Sequence, residues 1–514
     1  MTTRHQIIRD TYCDSVQLMR IASDVAQSSS VETTEAVMGT PTNLDTLREY
    51  DGLTAEDMSD IGGDDIVLVA TASDADSATA AVDEMAEQLY SSDTSGEVAE
   101  SGPSSPKSIR RACADDDFGI ALISVPGAYA TREAWKSLHE GLHTQIFSDN
   151  VSLERELELK TFAHNQGQLL MGPDCGTAIL DGVPLGFANE VDSGPIGLVS
   201  ASGTGLQAVS SRISRLGSGV SQAIGTGGRD LSAEIRGLTT RTAVDRLDSD
   251  DATELIVLLS KPPADAAIEA VLDTVADCTT PVLAHFQGVD MNLDGVRTAN
   301  TLAATADLAL EEVGVGTRAD SQSDVTVDMD MLESDLRRLP DGRTKVKGLF
   351  TGGTLCTEAA FVADGELDDV RSNVGVGDRL DDPLAPNGHA FVDFGTDDLT
   401  TGRPHPMIDP TIRNERLRAA LQDSSTGVIL FDIVLGYGAH EDPATGIVDV
   451  ISDVDTDVPV IASVCGTDGD PQGRLKQIRT LAAADVHVAE SNAAAARLAS
   501  RGASMLSGPK EGSL

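Results

Sequence analysis

At two places in this chain an apolar run leads directly into a glycine turn and then into helix-forming residues. Near the middle, the run that begins at Pro195 ends at Ser202-Gly203-Thr204; farther on, the run from Lys347 ends at Gly352-Gly353. A helix that starts right after a strand presents unpaired backbone N–H groups, with the positive end of its dipole behind them. The pattern therefore predicts an α/β fold in which strand ends and helix starts form anion-binding turns.

Two further turns belong to the same candidate set. The second strand of the middle segment ends at Gly227-Gly228-Arg229, and a late apolar strand ends at Gly436-Tyr437-Gly438. The planar fork of an arginine suits a carboxylate or a phosphate, although such turns also occur simply as tight strand ends. The predicted anion-binding residues are Ser202, Gly203, Thr204, Gly227, Gly228, Arg229, Gly352, Gly353, Gly436 and Gly438.

The charge balance restricts the partners of the chain. Its 514 residues include 83 acidic and 37 basic side chains, only eight of them lysines, which gives a net charge of -46. Such a surface repels nucleic acid and anionic membranes. An acidic excess spread over every segment, with few lysines, is typical of extreme halophiles whose proteins work in molar salt; an ordinary acidic enzyme would explain the sign but not the scarcity of lysine.

Cysteine usage and hydropathy give the remaining class assignments. The six cysteines are scattered without a CxxC pair or a histidine at metal-ligand spacing, so we predict free thiols and no metal site. No apolar run approaches the length of a membrane span, and the first residues lack the apolar core of a signal peptide. The sequence thus predicts a soluble cytoplasmic protein.

Strand-like and helix-like segments alternate along the whole chain, the pattern of parallel sheets covered by helices. Composition breaks divide it into four units, at residues 1–95, 115–190, 191–315 and 345–505. Residues 91–108 read as a linker, and residues 314–343 as an acidic connector. We therefore expect a multidomain α/β protein.

Several strings resemble known families. Met171–Thr177 (MGPDCGT) and Gly197–Thr204 (GLVSASGT) resemble a paired run in the α subunit of succinyl-CoA synthetase, and the last unit is similar to the carboxyl-terminal domain of its β subunit. The FdrA family, which fuses these pieces in one chain, is closer still. Its strings occur here as VMGTPTN (37–43), FSDNV (147–151), GGRD (227–230), SKPP (260–263) and GRPHPMIDP (402–410).

The resemblance implies a domain type for each unit. Residues 1–95 would form an FdrA-type amino-terminal α/β domain, and residues 115–190 a Rossmann-like CoA-binding-type domain. Residues 191–315 and 345–505 would be flavodoxin-like ligase domains of the α- and β-subunit types. No segment resembles an ATP-grasp domain or the GxTGxxG loop that opens the family's CoA-binding domain, which argues against a complete acyl-CoA ligase.

The resemblance also implies a chemistry from which one part is missing. NDP-forming acyl-CoA synthetases shuttle a phosphoryl group on a histidine, and the corresponding stretch here, Gly288–Ala303, contains none. The acidic partner of that histidine is replaced by Lys261, which could serve as the cation for a free acyl or carbamoyl phosphate. FdrA proteins are associated with allantoin and purine-nitrogen breakdown, as a subunit of an oxamate carbamoyltransferase that converts oxalurate and phosphate to oxamate and carbamoyl phosphate.

A proline-rich loop and a strand end supply the other candidate site residues. Arg403 and His405 join Lys261 as predicted catalytic residues, with Asp409 on the same loop, although proline that merely fixes the path is the alternative. Asp174 follows a strand end, where ligand contact and structural capping are equally plausible. His285, on an apolar run, is expected to be a core histidine.

Three functions follow from this sequence. The first is the carbamoyltransferase subunit, with phosphate or carbamoyl phosphate as substrate, no certain cofactor, and partner subunits in an oligomeric complex. The second is an acyl-CoA synthetase subunit, which predicts CoA binding. The third is a non-catalytic regulatory or scaffold protein, against which the retained glycine turns argue.

Overall fold

The computed structural model describes most of the chain. The described residues are 2–9, 11, 13, 15–26, 31–40, 43–44, 47, 61–63, 65–94, 106, 108–289, 296–316, 327, 329–401 and 403–507. Much of the predicted linker and part of the acidic connector lie outside this set. The chain forms two compact units: Met1–Ser105 with Asp398–Pro404, and Pro106–Asp397 with His405–Leu514.

The described part of the smaller unit contains a three-stranded sheet and helices. The elements described before residue 105 are β1 (Thr2–Ile8), α1 (Ser15–Ala26), β2 (Val31–Met38), β3 (Ile66–Ala72) and α2 (Ala75–Thr94). Strand β3 lies between β1 and β2 and is antiparallel to both. The expectation of parallel sheets along the whole chain is wrong here. The helical crossover from β1 to β2 leaves a gap between two parallel strands, and β3 fills that gap in the opposite direction.

The larger unit begins with a small parallel sheet in the order β4-β5-β6. Its elements are α3 (Ile109–Asp115), β4 (Ile120–Ile123), α4 (Gly127–His139), β5 (His143–Ile146), α5 (Leu153–Asn165) and β6 (Leu170–Met171). The apolar side chains of the sheet, among them Ile123 and Ile146, pack against Leu138 and Leu159 of the helices.

A seven-stranded sheet follows, in the order β13-β12-β11-β9-β10-β7-β8. Its elements are β7 (Thr177–Leu180), β8 (Val183–Gly186), β9 (Ser193–Ser200), α6 (Gly203–Arg215), β10 (Val220–Gly225), α7 (Leu238–Asp248), β11 (Leu255–Ser260), α8 (Asp265–Val275), β12 (Val282–Phe286), β13 (Arg297–Thr298) and α9 (Leu302–Glu312). Strands β9 to β13 are parallel, whereas β7 and β8 form an antiparallel hairpin at one edge. This sheet therefore takes strands from the segment before residue 191.

A second seven-stranded sheet is wholly parallel, in the order β16-β15-β17-β14-β18-β19-β20. Its elements are α10 (Met329–Arg338), β14 (Lys345–Phe350), α11 (Gly353–Asp364), β15 (Val370–Ser372), β16 (Asp378–Arg379), β17 (His389–Asp393), α12 (Asp397–Thr400), α13 (Thr411–Gln422), β18 (Thr426–Val434), α14 (Pro443–Ser452), β19 (Val460–Cys465), α15 (Arg474–Ala482), β20 (His487–Ala489) and α16 (Asn492–Ser507). Helix α12 spans the point where the chain passes from the larger unit to the smaller.

The predicted α/β class is confirmed by these parallel, helix-covered sheets. The acidic connector contains helix α10, whose Leu332 and Leu336 are buried. In both seven-stranded sheets the strand that precedes a glycine turn, β9 or β14, lies between two parallel neighbours. Open parallel sheets bind ligands at the carboxyl ends of such strands, and this topology places both turns there.

Candidate functional site

The starts of helices α6 and α11 meet directly in the larger unit. Ser202, the N-cap of α6, accepts a hydrogen bond on Oγ from the N–H of Gly205 (3.0 Å). The same hydroxyl is hydrogen-bonded to the hydroxyl of Thr354 in the first turn of α11. In return, the N–H of Thr354 donates to Oγ1 of Thr204 (3.4 Å). Two positive helix ends therefore converge on one region.

Glycine at positions 205 and 352 suits this close approach. A Cβ on Gly205 would lie 3.3 Å from the methyl group of Thr354, and one on Gly352 would lie 3.1 Å from the methyl group of Thr204. Such contacts are tighter than ordinary van der Waals contacts, so larger residues at these two positions would push the helix starts apart. Helix-to-helix contact thus accounts for Gly205 and Gly352.

A buried carboxylate already occupies part of the α11 start. Asp432, on β18, accepts hydrogen bonds from the N–H and hydroxyl of Thr351 (2.7 and 3.1 Å) and from the N–H of Gly352 (2.8 Å). Burial raises the pKa of Asp432, while these hydrogen bonds and nearby Arg413 oppose the rise. Asp432 was not predicted as a site residue, because nothing in the sequence around it marks a helix cap 80 residues away.

Lys261 and Asp393 flank the first residue of α11. A Cβ on Gly353 would lie 2.6 Å from Oδ2 of Asp393 and 3.2 Å from Nζ of Lys261. Lys261 is exposed and makes no hydrogen bond or ion pair with any residue in the described part of the chain. Burial raises the pKa of Asp393 to about 6; Lys261 and the N–H of Gly395 lower it, and Asp432 raises it.

The turn at Gly227-Gly228 packs on the turn that carries Asp174. A Cβ on Gly227, whose φ is 87°, would lie 2.5 Å from the carbonyl oxygen of Pro173, and one on Gly228 would lie 3.8 Å from Oδ2 of Asp174. Asp174 is accessible to solvent, yet the protein around it raises its pKa to about 6, chiefly by desolvation and then through Asp397 and Asp149. Lys261 opposes this shift, so Asp174 and Asp393 share Lys261 as a neighbour.

Arg229 is engaged with the protein rather than free. Its Nη2 pairs with Oε2 of Glu156 (2.8 Å) and donates to the carbonyl of Val151 (2.7 Å). Next to it, Asp230 pairs with the fully buried Lys160 (2.7 Å), which also lies 3.3 Å from Glu156. This network fixes the Gly227-Gly228 turn against helix α5. Sequence reasoning missed Lys160, since helical lysines usually face solvent.

His405 is a partly buried, neutral histidine. Burial lowers its pKa to about 4, its Nδ1 accepts from the N–H of Met407 (3.2 Å), and its ring lies 6.1 Å from that of Phe187. Its Nε2 lies 2.5 Å from the position of a Cβ on Gly395, two residues after Asp393. The structure therefore brings His405 close to the residues around α11.

The turn at Gly436 and Gly438 does not begin a helix. The next helix, α14, starts only at Pro443. A Cβ on Gly436 would lie 2.5 Å from the carbonyl oxygen of Phe187, and the N–H of Tyr437 donates to the carbonyl of Ala188 (3.0 Å). The second helix start lies at Gly352-Gly353, as the sequence predicts. The Gly436 turn packs on the backbone after β8.

The remaining residues of the proline-rich loop have local contacts. Asp409 accepts from the N–H and hydroxyl of Thr411 (3.0 and 2.6 Å), which caps the start of α13. Arg403 is exposed, its N–H donates to the carbonyl of Thr400 (3.0 Å), and it belongs to the smaller unit, whereas His405 belongs to the larger.

The other candidates have simple explanations. The Nδ1 of His285 lies 2.8 Å from the carbonyl oxygen of Ala299, and the residue is buried in the core. Burial raises the pKa of the Cys175 thiol to about 12, which disfavours the nucleophilic thiolate. Within the described ranges no cluster of three or more potential metal ligands occurs, and no helix has the length and apolarity needed to cross a membrane.

Family comparisons match both ends of the chain. Residues 349–501 match the CoA-ligase family, and residues 1–105 match the family described as AllF, heavy metal-associated domain. YahF of Escherichia coli, an uncharacterized protein, is 38% identical over 505 residues, which cover 96% of this chain and 97% of YahF. The expected CoA-ligase type of fold is thereby supported for the last unit.

More distant relatives are subunits of acyl-CoA-forming enzymes. The α subunit of the ADP-forming succinate–CoA ligase of Methanothermobacter thermautotrophicus is 24% identical over 184 residues, 35% of this chain and 61% of that protein. Among solved structures, the dinucleotide-forming acetyl-coenzyme A synthetase 1 of Ca. Korarchaeum cryptofilum, in complex with phosphate and ADP, is 16% identical. It covers 76% of this chain and 84% of its own, with a TM-score of 0.29.

The first 105 residues do not fit a heavy-metal site. They contain one cysteine, Cys13, which is buried, and one histidine, His5. Soft metals are held by two or more thiolates or imidazoles at close spacing. The name of the matched domain therefore describes a relationship, and no metal chemistry is assigned to these residues.

Proposed function

The chain belongs to the family of YahF, within the succinyl-CoA synthetase superfamily, and on this premise we propose that it is the FdrA-like subunit of an oxamate carbamoyltransferase. It would take part in the conversion of oxalurate and phosphate to oxamate and carbamoyl phosphate, in allantoin and purine-nitrogen breakdown. The match of residues 1–105 to the AllF domain family supports this pathway.

The observation that carries the proposal is the meeting of two helix starts beside an unpaired lysine. Gly203 and Thr204 of α6 and Gly353 of α11 have N–H groups without intrahelical partners, as at every helix start. Lys261 adds a full positive charge next to Gly353. Fixed N–H dipoles and a cation would bind the phosphate of carbamoyl phosphate and stabilise charge that develops during transfer.

The missing histidine favours direct transfer. A phosphohistidine shuttle needs a nucleophilic ring near the helix starts, and the stretch Gly288–Ala303 has no histidine. His285 and His405 are both held as neutral, hydrogen-bonded rings, with pKa values lowered by burial. Phosphate and the carbamoyl group would therefore react with each other at this site, without a phosphorylated protein intermediate.

The surrounding charge defines the conditions for such a site. A chain of net charge -46 repels a dianion at low ionic strength, and salt screens that repulsion over about 3 Å at 1 M. We propose that the protein is halophilic and cytoplasmic and that it binds its substrate in molar salt. The N–H groups and Lys261 act at contact distance, where screening is weakest.

A second candidate is an acyl-CoA ligase that acts with a nucleotide-binding subunit. The CoA-ligase match at residues 349–501 and the kinship with succinate–CoA ligase favour it. Both proposals require partner subunits in a hetero-oligomer, and they differ in the ligand: carbamoyl phosphate for the first, CoA for the second.

Titration calorimetry in molar potassium chloride separates these functions. The full chain is titrated with phosphate, carbamoyl phosphate, oxamate and CoA, and the titrations are repeated with Lys261→Ala and with Lys476→Ala. Lys476 is an exposed lysine on α15 that pairs with Asp442, so its removal tests a general loss of positive charge. Carbamoyl phosphate binding weakened at least about tenfold by Lys261→Ala alone is expected. CoA binding without carbamoyl phosphate binding would assign the chain to the ligases.

A further inference from the structure

The side chain of Asp393 is buried beside the helix starts, and only one of its two carboxylate oxygens accepts a hydrogen bond from the described residues. Asp393 ends strand β17 and is 5% exposed. Its Oδ1 accepts from the N–H of Gly395 (2.9 Å). Among the described residues, none donates a hydrogen bond to its Oδ2. Oδ2 is not one of the fully enclosed unpartnered atoms of the described residues, so it is open to solvent or to a ligand, while the rest of the side chain is buried.

The backbone of Asp393 is clamped, which fixes the direction of this oxygen. The N–H of Asp393 donates to Oδ1 of Asn373, and its carbonyl accepts from Nδ2 of the same amide, both at 2.8 Å. The free Oδ2 is directed at the first residue of α11, 2.6 Å from the Cβ position of Gly353. The missing side chain of Gly353 leaves room for a ligand atom next to this oxygen.

The titratable groups around Asp393 come from four parts of the fold. Lys261 follows β11, Asp432 lies on β18, Cys356 lies on α11, and His405 lies on the loop after α12. Burial and Asp432 raise the pKa of Asp393, Lys261 lowers it, and the outcome of about 6 leaves the carboxyl able to gain or lose a proton near neutrality. Burial raises the pKa of the Cys356 thiol well above its usual value, and the His405 ring is neutral. Neither group adds charge near Asp393.

We propose that Asp393 is the catalytic residue that carries the proton in carbamoyl transfer, an inference that rests on the function proposed above. In the direction that consumes carbamoyl phosphate, the amide nitrogen of oxamate attacks the carbamoyl carbon. A C–N bond forms and the C–O bond to phosphate breaks. The proton leaves the attacking nitrogen for Oδ2 of Asp393 and then passes to the departing phosphate, so Asp393 ends the cycle ionised as it began.

Two other carboxylates are less suited to this step. Both oxygens of Asp432 are held by three hydrogen bonds at the α11 start. Asp174 is solvent-accessible and lies against Gly228, not against Gly353. Asp393 combines an open oxygen, a clamped backbone and a place beside both a helix N-terminus and Lys261, which is the geometry expected for a proton carrier.

The first test is the pH dependence of turnover by the full chain with its partner subunits. Asp393→Asn keeps the size of the side chain and the acceptor for Gly395. We expect kcat/KM for oxamate to fall about 100-fold or more, the usual contribution of a proton-transferring group. In the unaltered protein kcat/KM falls below pH about 6 as Asp393 takes up a proton; the variant should lack this acid limb.

A matched control is Asp364→Asn, which removes the same charge at the other, exposed end of α11. It should keep both the rate and the acid limb. Asp174→Asn tests Asp174 as the alternative proton carrier. If this variant, and not Asp393→Asn, loses the acid limb of the pH profile, the inference is overturned. An unchanged rate and profile in Asp393→Asn would overturn it as well.

The second test needs only the full chain. A bound dianion should raise the pKa of Asp393 slightly, so calorimetry in buffers of different ionisation enthalpy should detect a fractional proton uptake, well below one proton, when carbamoyl phosphate binds at pH 7, while the carboxyl group stays mostly ionised and able to accept the proton. We expect this uptake to disappear in Asp393→Asn while binding persists. Binding with equal uptake in both proteins refutes the role of Asp393 and leaves the proposed function standing. Absence of binding to the unaltered chain refutes the proposed function, and this inference with it.

Discussion

The two helix starts at the centre of the larger unit arise from the same local pattern and have different surroundings. At α6, a serine N-cap and neutral hydroxyls surround the first turn, and Gly203 is exposed. At α11, the N-cap is Gly352, and its N–H and that of Thr351 are already bound by the carboxylate of Asp432. Both helix starts arise from the same order of strand, glycine turn and helix. The residues that pack around them in the tertiary structure give them different environments.

The difference shows that the N–H groups at a helix start can be bound either by a side chain of the protein or by a ligand. The carboxylate of Asp432 binds N–H groups at the α11 start and attaches that helix to β18. The α6 start, with no carboxylate among its hydrogen-bond partners in the described part of the chain, keeps its first N–H groups for an external anion. Asp432 should therefore matter chiefly for stability, and Gly203, Thr204 and Lys261 chiefly for binding.

The largest expected effect tests the structural half of this comparison. Asp432→Ala removes three buried hydrogen bonds and the negative charge nearest to Arg413, which is 1% exposed. We expect a loss of about 3–5 kcal/mol in the free energy of unfolding, measured by denaturant titration. As a control, Asp453→Ala removes an exposed carboxylate paired with Arg418 and should cost about 1 kcal/mol or less. Similar losses in both variants would contradict the comparison.

A smaller effect tests whether the two starts are coupled. Ser202→Ala removes both the cap on Gly205 and the hydrogen bond to Thr354. Loss of the cap should lower the free energy of unfolding by about 1 kcal/mol. In a double-mutant cycle with Thr354→Val, the two costs should differ from additivity by about 0.5 kcal/mol or more, because the hydroxyls share one hydrogen bond. Additive costs would show that the helix starts are independent.

The smallest effect distinguishes the two first-turn glycines. A Cβ on Gly203 would have its nearest contact at 3.4 Å, whereas one on Gly353 would lie 2.6 Å from Asp393. Gly203→Ala should raise the free energy of unfolding by about 0.5 kcal/mol through the unfolded state. Gly353→Ala should lower it by about 1 kcal/mol through overpacking. Thermal unfolding of both variants under one salt condition gives the comparison, and equal shifts would remove the distinction.

Much of the fold follows from the sequence because it is encoded locally. The apolar runs that begin at Pro195 and Lys347 form strands β9 and β14, and each leads through its glycine turn into a helix, as expected. The antiparallel strand of the smaller unit was missed, since strand direction depends on partners distant in the chain. Helix α10 was missed because acidic residues in the connector masked its short apolar stripe at Leu332 and Leu336.

The site was only partly predictable. The glycine turns and Lys261 stand out in the sequence, and the structure gathers Lys261, Gly353 and Asp174 near one another. Arg229 was expected to face a ligand, and the structure pairs it with Glu156. Asp393 and Asp432 were not identified at all. An aspartate at a strand end is common, and its role depends on which helix start it faces.

The sequence by itself determined the α/β class, the acidic balance of charge, the two strand–glycine–helix turns and the absence of a histidine from the stretch Gly288–Ala303. These properties depend on composition and on residues near one another in the chain. Only the tertiary structure decided that the turns meet, that Asp432 fills one of them, and that Asp393 has an open oxygen beside the other residues of the site. Those features join segments 40 to 152 positions apart, and contacts over such separations are set by sheet order and packing, which local patterns do not encode.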